Sequence, residues 1–96
     1  MILKLLIFAV TPGQAARFVE AATALVAAIG AGPDGVKYEV YQARNGACFY
    51  HYVVFADAAA EKRFLASAHH AAFQAVVQSV CAGPAEQIVL EKIAAA

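Results

Sequence analysis

The chain has 96 residues, of which 62% are hydrophobic and 15% charged, and its seven basic and seven acidic residues give a formal net charge of zero. This composition excludes a disordered chain, because disorder requires low hydrophobicity and high net charge. Without a positive charge excess or a basic run, neither a nucleic acid nor an anionic membrane surface is expected as a partner. The length predicts a single domain, residues 1–96, whose small core cannot bury so much apolar surface. A partner subunit or a ligand pocket is therefore expected.

No membrane anchor or disulfide framework is expected. The apolar run Leu5 to Val10 is shorter than the core of a signal peptide and far too short to span a bilayer. Cys48 and Cys81 lie far apart and lack CxxC spacing, so they predict reduced thiols in a cytoplasmic protein.

The first predicted elements are a buried strand and a helix. Ile2 to Val10 is a run of branched apolar residues broken only by Lys4, which is typical of a central strand. The sequence Thr-Pro-Gly-Gln at residues 11–14 then predicts a helix start, with Thr11 as the N-cap of a capping box.

The first helix has one apolar stripe with spacings of four, three and four residues. It is formed by Phe18, Ala22, Leu25 and Ile29. Gly30 and the pair Gly32-Pro33 predict where this helix ends.

Two strands and a tight turn follow. Val36 to Tyr41 alternates between its two faces, Asn45-Gly46 predicts a type I′ turn, and Ala47 to Phe55 returns antiparallel. A two-residue turn pairs Tyr41 with Tyr50. One face of this hairpin then carries Val36, Tyr38, Val40, Phe49, His51, Val53 and Phe55. The other carries Glu39, Tyr41, Cys48, Tyr50, Tyr52 and Val54.

The rest of the chain, from Asp57 onward, is predicted to form two helices and a last strand. Asp57 caps a short helix to about Ala66, with Phe64 and Leu65 facing inward. Ser67 caps another helix, which Gly83-Pro84 ends. The buried stripe of that helix is Phe73, Val76, Val77 and Val80. Glu86 to Ile93 alternates as a final strand.

The element order β-α-β-β-α-α-β predicts an α+β fold of the ferredoxin-like kind, an antiparallel sheet with helices on one face. Helices can cover only one face of this sheet, yet both faces are apolar. We therefore expect a homodimer through the uncovered face, which carries Tyr41, Tyr50 and Tyr52.

Several short motifs resemble the antibiotic biosynthesis monooxygenase family over nearly the whole chain. They are Thr-Pro-Gly at the first helix, Tyr-Glu-Val-Tyr in the second strand, Tyr52-Val53-Val54-Phe55-Ala56-Asp57, and Ser67-Ala68-His69 through Phe73. The resemblance implies a dimeric α+β barrel. It also implies an oxygenase of quinols or polyphenols that needs no metal or flavin, so no cofactor is expected.

The sequence departs from the family's common pattern at three positions. Where the family commonly has Glu-x-Trp-x-Asp or Glu-x-Trp-x-Asn, this chain has Val53 for the Glu and Phe55 for the Trp. A His that commonly projects from the second helix falls at Phe64. Haem-degrading relatives use that His and an Asn in the first strand, and neither is present, so haem degradation is not expected.

The candidate catalytic residues are His51 and His69, either of which could accept a proton from a phenolic substrate. His51 shares a face with Tyr38 and could instead be a buried structural histidine. His69 could simply pack against the preceding turn. His69 and His70 lie about 100° apart on a helix and cannot bind one metal from the same face, so no metal site is expected. His70 is expected to face solvent.

The sequence therefore predicts a pocket for a small planar aromatic between the sheet and the helices. Its substrate-binding residues are expected to be Phe8, Tyr38, Phe55, Phe64 and Phe73. Two functions stay open: an oxidoreductase that oxidises this ligand with dioxygen, and a dimeric ligand-binding or structural protein without catalysis.

Overall fold

The computed structural model describes residues 1–30, 35–46 and 48–96, and the elements follow the predicted order. The strands are β1 (Ile2–Phe8), β2 (Val36–Gln42), β3 (Phe49–Phe55) and β4 (Glu86–Leu90). The helices are α1 (Ala15–Gly30), α2 (Ala58–Leu65) and α3 (Ala68–Val80). The predicted α+β, ferredoxin-like fold is confirmed. Within one chain the sheet is open, with β2 and β4 at its edges, so a single chain does not form the barrel that the resemblance implied.

The sheet has the order β2-β3-β1-β4, and every neighbouring pair is antiparallel. The apolar run of β1 therefore lies between two strands, as its composition predicted. The predicted hairpin register is also confirmed, because Tyr41 pairs with Tyr50 and Glu39 pairs with Tyr52. Strand β4 ends at Leu90 rather than Ile93, because its pairing with Leu3 nearly exhausts the length of β1.

The turn between β2 and β3 differs from the predicted type I′ turn. The backbone N–H of Gly46 donates to the carbonyl of Ala43 at 2.8 Å, and Gly46 has φ +75°. Asn45 does not adopt positive φ, since every positive-φ residue in the described part of the chain is a glycine. Among the described residues of this turn, a left-handed conformation is thus needed only at Gly46. Ala47, the predicted start of the third strand, lies outside the described residues.

Helix α1 begins later than its capping box predicted. The N–H of Gln14 donates to the carbonyl of Thr11 at 3.0 Å, and Gly13 has φ +87°. Proline followed by a positive-φ glycine is the pattern of a type II turn, so residues 11–14 form a turn before the helix. The prediction of Thr11 as N-cap is therefore wrong. Gly30 ends the helix as predicted, and Gly32-Pro33 lies outside the described residues.

The caps of the other two helices are confirmed. Asp57 Oδ1 accepts a hydrogen bond from the N–H of Ala60 at 2.8 Å, and Ser67 Oγ accepts one from the N–H of His70 at 3.2 Å. Phe64 is buried, whereas Leu65 is 52% exposed and does not join the core, contrary to expectation. One position is about 100° of helix rotation, which turns Leu65 away from the core.

The three helices lie on one face of the sheet, and the core forms between them. The predicted stripe of α1 is buried throughout, and α3 buries Phe73, Val77 and Val80. The opposite face of the sheet has no helix over it, and Tyr50, Tyr52 and Val54 of β3 are only half-buried there. Among the described residues, no helix is both long enough and apolar enough to cross a membrane.

Candidate functional site

A cavity of about 560 Å³ lies between the helix-covered face of the sheet and helices α2 and α3. Its wall includes all five residues predicted to bind an aromatic ligand: Phe8, Tyr38, Phe55, Phe64 and Phe73. They come from β1, β2, β3, α2 and α3, so the tertiary fold alone brings them together.

The aromatic rings of the cavity wall contact one another in two groups. The ring centroids of Phe55 and Phe64 are 5.6 Å apart, and those of Phe64 and Tyr38 are 5.9 Å apart. On the other side, Phe8 meets Phe73 edge to face at 5.8 Å. Such pairs fix the ring orientations and leave apolar faces for a planar ligand.

His51 is fully buried and is not among the residues of the cavity wall. Its ring packs against Phe8 at 4.5 Å and against Phe18 and Phe73 at 5.5 Å. Its Nδ1 lies 2.7 Å from the hydroxyl oxygen of Tyr38, which does line the cavity. His51 is therefore linked to the cavity through one hydrogen bond, and its Nε2 has no hydrogen-bond partner in the part of the chain that the structure describes.

Burial sets the protonation states of this pair. It lowers the pKa of His51 to about 4, so the imidazole is neutral at pH 7. It raises the pKa of Tyr38, so the phenol keeps its proton. Which of the two groups donates in their hydrogen bond depends on the histidine tautomer. When Nε2 carries the proton, Nδ1 accepts from the Tyr38 hydroxyl.

His69 and His70 occupy places opposite to those expected. His69 packs near Phe64 at 5.9 Å but is not in the cavity wall, so His51 and His69 do not converge on the cavity. His70 is half-buried, lines the cavity and lies 5.0 Å from Phe64, so the solvent-facing prediction is wrong. The missed signal is its spacing of three residues from Phe73, which puts both on one face of α3.

An ion pair that the sequence did not predict also lies in the cavity wall. Lys4 Nζ of β1 pairs with Glu61 Oε2 of α2, and the two side chains are only 17% and 20% exposed. Lys4 is on the helix side of β1 because it alternates in phase with Leu6 and Phe8. The sequence did contain a sign of this ion pair, because Lys4 is a lysine inside an apolar run, at a position that faces inward.

The three departures from the family's common motif lie together in the structure. Val53, Phe55 and Phe64 all line the cavity, so positions that commonly carry Glu, Trp and His form one apolar surface here. In the described part of the chain, no three His, Cys, Asp or Glu side chains come close enough to hold a metal ion.

A model of the antibiotic biosynthesis monooxygenase family matches residues 1–76. The chain belongs to this family. The matched region runs from β1 into α3 and includes every candidate residue named above.

Several solved structures share the fold of this chain. Rv0793 from Mycobacterium tuberculosis has a TM-score of 0.87 at 19% identity, over 99% of this chain and 97% of that one. PA3566 from Pseudomonas aeruginosa has a TM-score of 0.83 at 25% identity, over 97% and 95%. A Nitrosomonas europaea protein named "Putative antibiotic biosynthesis monooxygenase" has a TM-score of 0.88 at 16% identity, over 98% and 100%. No curated protein sequence matches the chain.

Proposed function

We propose that this protein is a monooxygenase that uses dioxygen to oxidise a small planar aromatic, a phenol or quinol, bound in the cavity. Family membership supports the reaction class. The observation that carries the proposal is the Tyr38 hydroxyl, which lies in an aromatic cavity wall and is hydrogen-bonded to the buried His51.

The cavity has the size and chemistry for such a ligand. Its volume of about 560 Å³ falls within the usual range of small-molecule sites, and its wall includes the rings of Phe8, Phe55, Phe64 and Phe73. Offset stacking or edge contacts with these rings favour a flat, electron-rich ring over an aliphatic one. The ligand's own hydroxyl then needs a polar partner, and Tyr38 supplies one.

The first chemical step is loss of a proton from the ligand. As the ligand hydroxyl donates to the Tyr38 oxygen, Tyr38 passes its own proton to Nδ1 of His51. We assign proton acceptance to His51 rather than His69, because of these two candidates His51 is the one whose hydrogen bond reaches a group in the cavity wall. The anion formed beside it offsets the unfavourable charging of a buried imidazole.

The oxidation then needs no electron donor other than the ligand anion. The anion gives one electron to dioxygen, and the two radicals combine to form a carbon–oxygen bond. When the anion is the enolate of a ring CH₂ ketone, oxygen bonds to that same carbon, which still carries one hydrogen. The peroxide anion takes up the proton held at His51, and the hydroperoxide then loses water by breaking its O–O bond and the remaining C–H bond, which leaves a carbonyl. Overall, CH₂ and O₂ become C=O and H₂O, and the dry phenylalanine wall protects the anion from solvent.

The proposal is tested by oxygen consumption with a panel of quinols and anthrones, with ¹⁸O₂ incorporation followed by mass spectrometry. We expect turnover by the wild type and a loss of about 100-fold or more in kcat/KM in Tyr38→Phe and His51→Leu. Tyr41→Phe, on the uncovered face, is the matched control and should retain activity. No turnover of any compound would contradict the monooxygenase, and turnover unchanged in both Tyr38→Phe and His51→Leu would contradict the assigned proton step.

A second candidate function is non-catalytic binding of the same ligand class. It is favoured by the apolar Val53, Phe55 and Phe64 in the cavity wall and by the position of His51 behind that wall. Saturable binding of a quinol that is recovered unchanged under oxygen would establish it.

We also propose that two copies associate through the uncovered sheet face that carries Tyr41, Tyr50 and Tyr52. The support is its composition, since Tyr52 is flanked in the neighbouring strands by Leu5 and Glu39, and Leu5 is flanked in turn by Ile88. Ile88 is 38% and Tyr41 is 53% exposed in one chain. A cytoplasmic location stays a prediction, with Cys48 and Cys81 both present as free thiols.

A further inference from the structure

The Lys4–Glu61 ion pair has no part in the proton step, yet both residues lie in the cavity wall. A lysine on the inward side of a central strand loses most of its hydration, which is unfavourable unless a partner compensates it. Glu61 is that partner. The pair thus holds an ammonium group at the surface of a largely apolar cavity.

The sheet register fixes where Lys4 lies relative to Tyr38. Val53 pairs with Lys4 on one side and with Tyr38 on the other, and all three face the cavity. Neighbouring strands are about 5 Å apart, so the backbones of Lys4 and Tyr38 are separated by about 10 Å, with Val53 between them. A flat ring lying over Val53 therefore has Tyr38 at one end and Lys4 at the other.

Lys4 also supplies the positive charge of the site. The other titratable groups in the cavity wall are Tyr38, Glu61, His70 and Cys81. Burial lowers the pKa of His70 and raises the pKa of Tyr38 and of Cys81, so these three are neutral at pH 7. Among the described residues that line the cavity, Lys4 is thus the only cation and Glu61 the only anion at that pH.

We propose that Lys4 is the anion-binding residue of this cavity, whose ammonium group binds the ligand oxygen at the end of the ring opposite Tyr38, onto which the charge of the phenolate or enolate formed at Tyr38 is delocalised. This inference rests on the proposed function and names its substrate class: an acidic phenol or enol with a second oxygen across the ring. An ammonium group has three N–H donors, so a donor remains for the ligand after the bond to Glu61. In a cavity of low polarity this attraction is much stronger than in water.

Lys4 and Glu61 should have opposite effects on an anionic ligand. Lys4→Met keeps the apolar stem and removes the charge, so it should weaken binding of the anion. Glu61→Gln keeps the shape and removes the competing negative charge, so it should strengthen binding. If the pair served only to join β1 to α2, both substitutions would disturb the cavity in the same direction.

The test is a spectrophotometric pH titration of 4-nitrophenol with the full chain, which reads the pKa of the bound phenol without any turnover. We expect the wild type to lower this pKa by about 1 unit or more, which is a tenfold or greater preference for the phenolate. Lys4→Met should abolish the shift, Lys4→Arg should keep it and Glu61→Gln should enlarge it. The controls are Lys62→Met and Glu20→Gln, which remove exposed charges of the same kind outside the cavity.

Failure of 4-nitrophenol to bind the wild type, or an equal pKa of the bound phenol in wild type and Lys4→Met, would overturn the inference. So would loss of the shift in both Lys4→Met and Glu61→Gln. The result is separable from the proposed function. Quinol turnover with no pKa shift contradicts only the role of Lys4, whereas a Lys4-dependent shift without turnover of any quinol contradicts only the monooxygenase.

Discussion

The hydroxyl of Tyr38 and Nδ1 of His51 lie 2.7 Å apart on neighbouring strands, and they join the cavity to a histidine that has no solvent exposure. Tyr38 pairs with Val53 and His51 pairs with Val40, so the bond runs diagonally across the β2–β3 ladder. It gives a buried imidazole its only hydrogen bond among the described residues, since Nε2 has no partner. The pair therefore affects both stability and chemistry.

Tyr38→Phe should destabilise the fold. Removing the hydroxyl leaves both ring nitrogens of His51 buried without a partner, at a cost of about 1–3 kcal/mol in the free energy of unfolding. Urea denaturation monitored by circular dichroism measures this difference. Tyr41→Phe, which removes an exposed hydroxyl, should change the value by less than about 0.5 kcal/mol. Equal stability of Tyr38→Phe and wild type would contradict the buried hydrogen bond.

Mild acid should destabilise the fold because His51 is protonated more readily in the unfolded chain. Its pKa is lowered to about 4 in the folded state from an unfolded value of 6.5, so the unfolded chain binds the proton more tightly. The free energy of unfolding is therefore at its full value above about pH 6.5, where His51 is neutral in both states. It falls as the pH drops towards about 4, because the unfolded chain gains the proton first. Between pH 7 and pH 5 the loss should be about 2 kcal/mol.

The acid effect is isolated by comparing the pH dependence of urea unfolding in wild type and His51→Leu. Carboxyl groups and His70 contribute equally to both proteins, so the difference between the two curves reports His51. Parallel curves from pH 7 to pH 5 would show that His51 is not held neutral by burial.

The contribution of the Asp57 cap to the free energy of unfolding should be measurable, because α2 has only eight residues. Asp57→Ala removes the acceptor for the N–H of Ala60 and should lower the free energy of unfolding by about 1 kcal/mol. Asp57→Asn keeps an acceptor oxygen and should lower it by only a few tenths. Thermal unfolding of the three proteins makes the comparison, and an Asn variant as unstable as the Ala variant would argue against the cap.

The uncovered sheet face should be sensitive to charge if two copies meet there. Tyr52→Glu puts a carboxylate at the centre of the proposed interface and should convert a dimer into a monomer, because a desolvated charge without a partner is strongly unfavourable. Light scattering after size-exclusion chromatography gives the mass. Val19→Glu, at an exposed position on α1, should leave the mass unchanged. A wild-type monomer at micromolar concentration would contradict the proposed association.

Local patterns predicted the elements well and their ends less well. The register of the hairpin was predicted from a two-residue turn at Asn45-Gly46, and it is confirmed although the turn itself is not type I′. The alternation fixes which side chains face the core, and several turns can satisfy the same register. Thr11 was misassigned because a capping box and a type II turn share the same residues, and the backbone of Gly13 decides between them.

The sequence by itself determined the element order, most of the inward-facing residues and the aromatic residues of the pocket, because these depend on periodicity and composition along the chain. Only the tertiary structure decided which polar groups accompany the aromatic wall. It placed His51 behind the wall, His70 in it and His69 outside it, and it brought Lys4 to Glu61 across 57 residues of chain. The reason is physical: side-chain contacts between distant segments depend on the register of β1 against β3 and on how α2 and α3 lie on the sheet, and no local pattern records either.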